Sequence, residues 1–219
     1  MPEFSVIIPS RSRPNIEVSI GRLREYEGGI DIIVVDDGIE DRPQLGCRYV
    51  DGIKPFVFSR NINVGVRAAP EGNDIVLMND DAILETPYGL SSISRLSFET
   101  GRNAIISPAI DFVGNPNQRF RGVGVRSEPR MLCFVCVYIP RRVWNLVGEM
   151  DERFVGYGCD DDDYCLRARQ LGVELWVYDR VKVNHSMLRS EFRGRGAGDF
   201  RENLLRFKDK WGHDNWGRY

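Results

Sequence analysis

Short, nearly continuous apolar runs alternate with amphipathic stretches along the first half of the chain. FSVIIP, ended by Pro9, has the pattern of a strand buried on both faces. After Pro14, NIEVSIGRLREYE carries Ile16, Ile20 and Leu23 at helical spacing, and Gly28-Gly29 stops it. IDIIVV predicts a second buried strand running into Asp36-Asp37-Gly38. FVFS predicts a third, followed by a helix around VGVRAAP, and DIVLM a fourth ending at Asn79-Asp80-Asp81. A helix from Tyr88 to Thr100 and a strand over NAIISPAI continue the alternation. The order βαβαβ implies a parallel α/β sheet with right-handed crossovers.

The second half is mixed. QRFRGVGVR and MLCFVCVYIP read as antiparallel strands, and RRVWNLVG as a helix after Pro140. DDDDYCLRARQLG predicts a helix with acids at its N-terminus and arginines behind them, the order the helix dipole favours. WVY and VKVN read as short strands, SMLRSEFRGRGAGDF as a mobile loop and FRENLLRFKDKWG as a terminal helix. No repeat or linker interrupts the pattern, so residues 1–219 are expected to form one domain.

With 219 residues, 42% hydrophobic and 28% charged, the chain can bury a core and is neither disordered nor fibrous. No apolar run approaches the ~20 residues that span a bilayer, and the first residues lack a signal-peptide h-region. A cytoplasmic protein without a transmembrane segment is expected. The net charge of −2 excludes a globally basic nucleic-acid binder. Acids concentrate between Asp151 and Asp163, and basic residues from Arg180 onward, which would suit a cation and an anionic ligand held together. Two solvated faces would account for the same charges. Five cysteines without an oxidising context argue against a disulfide framework. Cys133 and Cys136 lie in a strand-like run where positions i and i+3 face opposite ways, so they read as core residues.

Candidate chemistry lies at the strand ends, because open parallel sheets bind ligands beyond the C-terminal ends of their strands. Pro9-Ser10-Arg11, Asp36-Asp37-Gly38 and Asn79-Asp80-Asp81 occupy three such ends. An acid pair leaving a buried strand is costly unless a ligand, a metal or a helix N-terminus meets it. A turn at Asp37-Gly38 and a helix cap at Asp81 are the plainer readings of each pair taken alone. Neither G-x-G-x-x-G nor G-x-x-x-x-G-K-[ST] is present, so a phosphate ligand would need a divalent ion and arginines. Oxygen donors such as Asp81 suit Mn²⁺ or Mg²⁺, and an imidazole such as His185 favours Mn²⁺.

FSVIIPSRSRP, DIIVVDDG, NINVGVRAA, DIVLMNDDA, GYGCDDDDYCLRARQLG, VNHSMLRS and LLRFKDKWG together resemble the GT-A glycosyltransferases, family 2 in particular, in their order and over nearly the whole chain. The resemblance implies an α/β fold: a single GT-A (nucleotide-diphospho-sugar transferase) domain whose mainly parallel central sheet is flanked by helices with a small antiparallel addition. Residues 1–110 would bind the nucleotide sugar, and residues 111–219 would hold the acceptor and the catalytic group. Pro9, Ser10 and Arg11 would border the nucleotide pocket, and Asp37 would bond the base, commonly uracil. NDDA resembles the D-x-D motif with Asn79 in first position. Asp80 would then lie near the ribose or sugar and Asp81 would bind the metal. Gly65 would let the chain pass close to the donor, and His185 would be a further metal ligand. The DDDD block also resembles the acidic motif of the β-1,4-galactosyltransferases. By the family's spacing Asp161 is the base and Asp160 stands at the usual glutamate, with a one-residue shift to Asp160 or Asp162 left open.

These roles describe an inverting, metal-dependent transfer from a nucleotide-diphosphate sugar, UDP-linked by the resemblance, to an acceptor hydroxyl. Crowded carboxylates raise the pKa of one member toward the working pH, improving it as a base. Arg189, Arg193 and Arg195 could close over the pyrophosphate. Two other readings compete. A sugar nucleotidyltransferase would need a glycine-rich, lysine-containing loop after the first strand, which SRSRPN is not. A non-catalytic relative binding nucleotide sugar or glycan would account for Asn79. Acceptor and oligomeric state leave no mark in the spacing. Glycan, lipid-linked sugar, protein and modified nucleic acid are all compatible acceptors.

Overall fold

The computed structural model describes residues 3–128, 130–189 and 197–213. Its first half runs β1 (Phe4–Ser10), α1 (Arg13–Glu27), β2 (Asp31–Asp36), β3 (Arg48–Asp51), α2 (Phe58–Ala68), β4 (Asp74–Met78), β5 (Ile83–Leu84), α3 (Gly89–Thr100) and β6 (Ala104–Ile110). The second half adds β7 (Val125–Ser127), β8 (Cys136–Ile139), α4 (Arg141–Val147), α5 (Asp160–Gln170), β9 (Glu174–Asn184) and α6 (Ala197–Trp211).

The nine strands form one sheet in the order β3-β2-β1-β4-β8-β6-β9-β5, with β7 paired to β9. The pairs β3/β2, β2/β1 and β1/β4 are parallel. β8 is antiparallel to both β4 and β6, and β6 is parallel to β9, so β6 and β9 run in the same direction as β1 to β4. Their C-terminal ends therefore share one edge, and β5, β7 and β8 are the antiparallel additions.

Each buried strand serves two cores because successive side chains point to opposite faces. Val6 and Ile8 of β1 pack with Ile16, Ile20 and Leu23 of α1 and Leu90 and Ile93 of α3. Ile7, between them, joins Ile62 and Val66 of α2, Val143 and Trp144 of α4, and Tyr164 and Ala168 of α5. A smaller cluster of Phe154, Cys159, Leu166 and Phe207 seats α6 on α5.

Four expectations change. QRFRGVGVR enters the sheet only at its end, in β7, because the residues before Val125 are bound up in a 3-10 turn at Pro116–Gln118 and in N–H bonds to Asp179. FVFS is not a strand: β3 is RYVD, and Phe58 already belongs to α2. The apolar positions Ile62 and Val66, one helical turn apart, dock on the sheet and draw the β-favouring residues before them into the helix. WVY and VKVN belong to one continuous strand, β9, in which the pairing jumps from Pro108↔Tyr178 to Ala109↔Lys182. Asp179-Arg180, which reads as a break, is a bulge inside it. MLCFVCVYIP pairs only from Cys136, so Cys133 precedes the strand, and both cysteines are free thiols.

Candidate active site

Five of the parallel strand ends, those of β1, β2, β4, β6 and β9, bring polar side chains to one edge of the sheet. Beyond β4, Asp81 is buried, 1% exposed, with His185 from the end of β9 against it at 3.1 Å (Nε2 to Oδ1). The His185 Nδ1 lies 2.7 Å from the Phe112 carbonyl oxygen. A carbonyl only accepts, so Nδ1 carries the proton and Nε2 is the nitrogen presented to Asp81. Asp111, at the end of β6, accepts from the His185 N–H and the Ser186 hydroxyl, both at 2.6 Å. Burial would push the Asp111 carboxyl up, yet these bonds and the adjacent imidazole hold it below its ordinary range.

The second Asp81 oxygen, Oδ2, is buried with no hydrogen-bond partner among the described residues. An orphaned carboxylate oxygen in a dry site is costly and suits a cation. Among the described residues no group of three or more His, Cys, Asp or Glu gathers to hold a metal. Asp81 and His185 are two donors, which fits an ion whose shell is completed by substrate phosphate and water, the habit of Mg²⁺ and its relatives.

Asp80 turns toward β1, where the Ser10 hydroxyl donates to its Oδ2 at 2.5 Å. Asn15, in the first turn of α1, reaches Asp80 Oδ1 at 3.5 Å and donates to the Arg189 carbonyl at 3.1 Å. Asn79 donates its backbone N–H to the Val135 carbonyl. Pro9 pairs with Val35 inside the sheet, and Arg11 follows as a half-buried residue on the way into α1.

The two acids after β2 differ. Asp36 is a loop-builder: its Oδ1 accepts from the Gly38 and Ile39 N–H groups at 2.6 Å, and Arg42 pairs with Oδ2. Burial favours its protonated form, but those donors outweigh burial and lower its pKa. Asp37, 5% exposed, donates its backbone N–H to the Ser10 carbonyl and pairs with Lys54 at 2.9 Å. Gly65 sits in α2 over β1 and β2, where a Cβ would stand 2.3 Å from Ile7 Cγ2 and 2.8 Å from Val35 Cγ2. The close approach that its bare Cα permits is therefore of helix to sheet.

The acidic helix opens at Cys159, held at φ 69°, with four aspartates in its first turn. Asp163 is fully buried and structural, bonded to Arg167 at 3.0 Å, Lys210 at 2.6 Å and the Trp211 indole at 2.9 Å. Among the described residues no cation pairs with Asp160, Asp161 or Asp162 in this way. A helix N-terminus is worth about 0.3–1 kcal/mol to an acid, whereas burying a charge costs several kcal/mol, so burial wins. Burial, then the charge of neighbouring aspartates, raises Asp160 and Asp162 to about 7 and Asp161 well above its ordinary value. Asp162 Oδ1 is buried without a hydrogen-bond partner among the described residues. Asp161 accepts from the Phe134 N–H, one residue before Val135, so the 134–135 segment places Asp161 beside the end of β4.

The structure thus brings Ser10, Asp37, Asn79, Asp80, Asp81 and His185 to the same edge, with Asp161 tied to it through Phe134. Arg193 and Arg195 lie outside the described residues. Asp111, Asn15 and Lys54 escape the sequence reading. Asp111 was within reach of it, since it directly follows the predicted strand NAIISPAI; Asn15 and Lys54 join the edge only through tertiary contacts.

The fold is that of the GT-A-like glycosyltransferases. The chain superposes with a TM-score of 0.74 on GalNAc-T7, crystallised with UDP, GalNAc and Mn²⁺, at 14% identity over 96% of this chain and 48% of that one. S. aureus TarS gives 0.68 over 95% of this chain and 39% of that chain, and its 1–349 fragment 0.70 over 95% and 65%, both at 14% identity. No family model matches the chain. One curated relative, the uncharacterised protein y4gI of Sinorhizobium fredii (strain NBRC 101917 / NGR234), is 25% identical over 94% of this chain. The chain spans 26% of that relative's length. No helix among the described residues is long and apolar enough to cross a membrane.

Proposed function

We propose that the chain is an inverting glycosyltransferase that moves a sugar from a nucleotide-diphosphate sugar, UDP-linked, to an acceptor hydroxyl. The observation that carries this reading is buried Asp81 against half-buried His185, with Asp81 Oδ2 lacking a hydrogen-bond partner among the described residues, at the C-terminal strand edge of a GT-A-like sheet. Asp81 and His185 would hold Mn²⁺ or Mg²⁺, which supplies charge neutralisation for the diphosphate. Asp37 would bond the base. Ser10, Asn79 and Asp80 would border the ribose and diphosphate, with Pro9 and Arg11 beside them, and Arg193 would reach the phosphates.

Asp161 is the proposed base, with Asp160 beside it. As the acceptor oxygen bonds to the anomeric carbon, its proton passes to Asp161 and the bond from that carbon to the diphosphate oxygen breaks. The upward shift of the acidic cluster supports this role, because a base whose pKa lies nearer the working pH is more effective. Attack from the face opposite the leaving group inverts the anomeric centre.

The test is calorimetric titration of UDP, GDP, CDP and dTDP with Mn²⁺ and then with EDTA. UDP binding that EDTA removes is expected. Failure of all four nucleotides would overturn the metal-dependent reading in favour of a non-catalytic relative.

A further inference from the structure

The segment between β6 and β7 is unusually well built for a surface loop. Asn115, 8% exposed, donates to the Met131 carbonyl. Gln118, fully buried, donates to the Ser107 hydroxyl and the Cys133 carbonyl. Asp179, 2% exposed in the β9 bulge, accepts from the Arg121 and Val123 N–H groups and pairs with Arg126 at 2.9 Å. Buried polar groups of this kind are costly unless satisfied, and here all three serve one segment.

What they hold up is exposed. Phe120 is 55% exposed, with the Lys182 ammonium 4.2 Å from its ring centroid. Its chain neighbours Arg119 and Arg121 are exposed, as is Arg180, two residues before Lys182 on β9. Among the described residues Arg119 and Arg180 have no acidic side chain against their guanidinium groups. Lys182 lies near the end of β9, which stops at Asn184, the residue before His185. Phe112, 54% exposed at the start of the same segment, has its ring centroid 6.4 Å from that of His185.

We propose that this surface binds the acceptor and that the acceptor is an anionic carbohydrate chain. An exposed aromatic ring offers the apolar face of a sugar a flat partner, and the flanking guanidinium groups suit its phosphate, sulfate or carboxylate substituents. The segment starts at Asp111 and Phe112, both against His185, so a chain lying along it would deliver one end to the candidate site. This inference rests on the glycosyltransferase reading for its place in a reaction; the binding surface itself does not.

The test is titration of a sulfated dextran oligosaccharide, neutral dextran of the same length, inorganic polyphosphate and single-stranded DNA into the full chain at low salt. Sulfated dextran should bind and neutral dextran should not. Arg119→Glu with Arg180→Glu should weaken sulfated dextran at least about tenfold while leaving UDP affinity unchanged. Phe120→Ala should weaken the sulfated sugar several-fold and leave polyphosphate unaffected. Absence of sulfated-dextran binding, an unaffected double variant, or tighter binding of DNA would overturn the proposal. UDP binding without oligosaccharide binding would sink this inference alone. Oligosaccharide binding without UDP binding would keep the surface and remove the transferase reading.

Discussion

The His185 imidazole meets the Asp81 carboxylate at 3.1 Å across 104 residues of sequence. One lies beyond β9 and the other beyond β4, with β8 and β6 between those strands in the sheet. The ring is held from behind by the Phe112 carbonyl and the His185 backbone N–H by Asp111, so Nε2 faces one Asp81 oxygen, while the other has no hydrogen-bond partner among the described residues.

Removing either member should separate metal from nucleotide. Asp81→Ala is expected to weaken UDP binding in Mn²⁺ by at least about tenfold, about 1.4 kcal/mol, and His185→Ala by a similar or smaller factor. In EDTA both variants should match the wild type in the same titration. A wild-type Mn²⁺ effect in Asp81→Ala would move the metal elsewhere.

The acidic helix should leave a signature in stability. Asp162 titrates near 3.8 unfolded and about 7 folded, so the folded state binds the extra proton between those values. Stability from this group is then lost as pH rises from about 4 through 7, on the order of 1 kcal/mol per pH unit. Asp162→Asn should therefore raise Tm clearly at pH 8 and hardly at pH 4, measured calorimetrically in EDTA.

Activity should respond in the opposite sense. A base must be deprotonated, so kcat/KM should fall on acidification with a midpoint above the ordinary carboxylate range, because Asp161 is shifted up. Asp161→Asn is expected to remove transfer by a factor of about 10²–10⁴ while retaining UDP affinity. Transfer at the wild-type rate would pass the role to Asp160 or Asp162.

Gly65→Ala should act on folding and leave the donor site alone. The added methyl would press on Ile7 and Val35 in a packed core, at a cost of about 1–3 kcal/mol. Urea denaturation should report that loss, while UDP affinity of the folded fraction stays within about twofold. A large affinity loss without a stability change would restore a donor-facing role.

Asp163 should prove structural. Its replacement by Ala leaves Arg167 and Lys210 without their shared buried partner, a loss of about 3–5 kcal/mol. Limited proteolysis should then cut first near α6, which Lys210 and Trp211 tie to the helix.

Much of this was legible in one dimension. Apolar runs such as IDIIVV and DIVLM mark strands because burial on both faces demands uninterrupted hydrophobicity, and the acids after them mark the edge that carries the candidate site. Local pattern misled at FVFS, where β-favouring residues enter a helix, and at Asp179, where a charge that reads as a break is a buried anchor. Both were decided by packing partners far away in the chain.

The sequence by itself determined which residue types stand at the ends of which strands: acids beyond β2 and β4, a histidine beyond β9, four aspartates opening α5. Only the tertiary structure decided how they divide. Asp36 and Asp163 meet cations and N–H donors and become structural, while Asp81 and Asp162 each keep a buried oxygen without a hydrogen-bond partner among the described residues. The reason is that a carboxylate's cost depends on burial and on the donors around it, and those come from elements that the chain order does not place side by side.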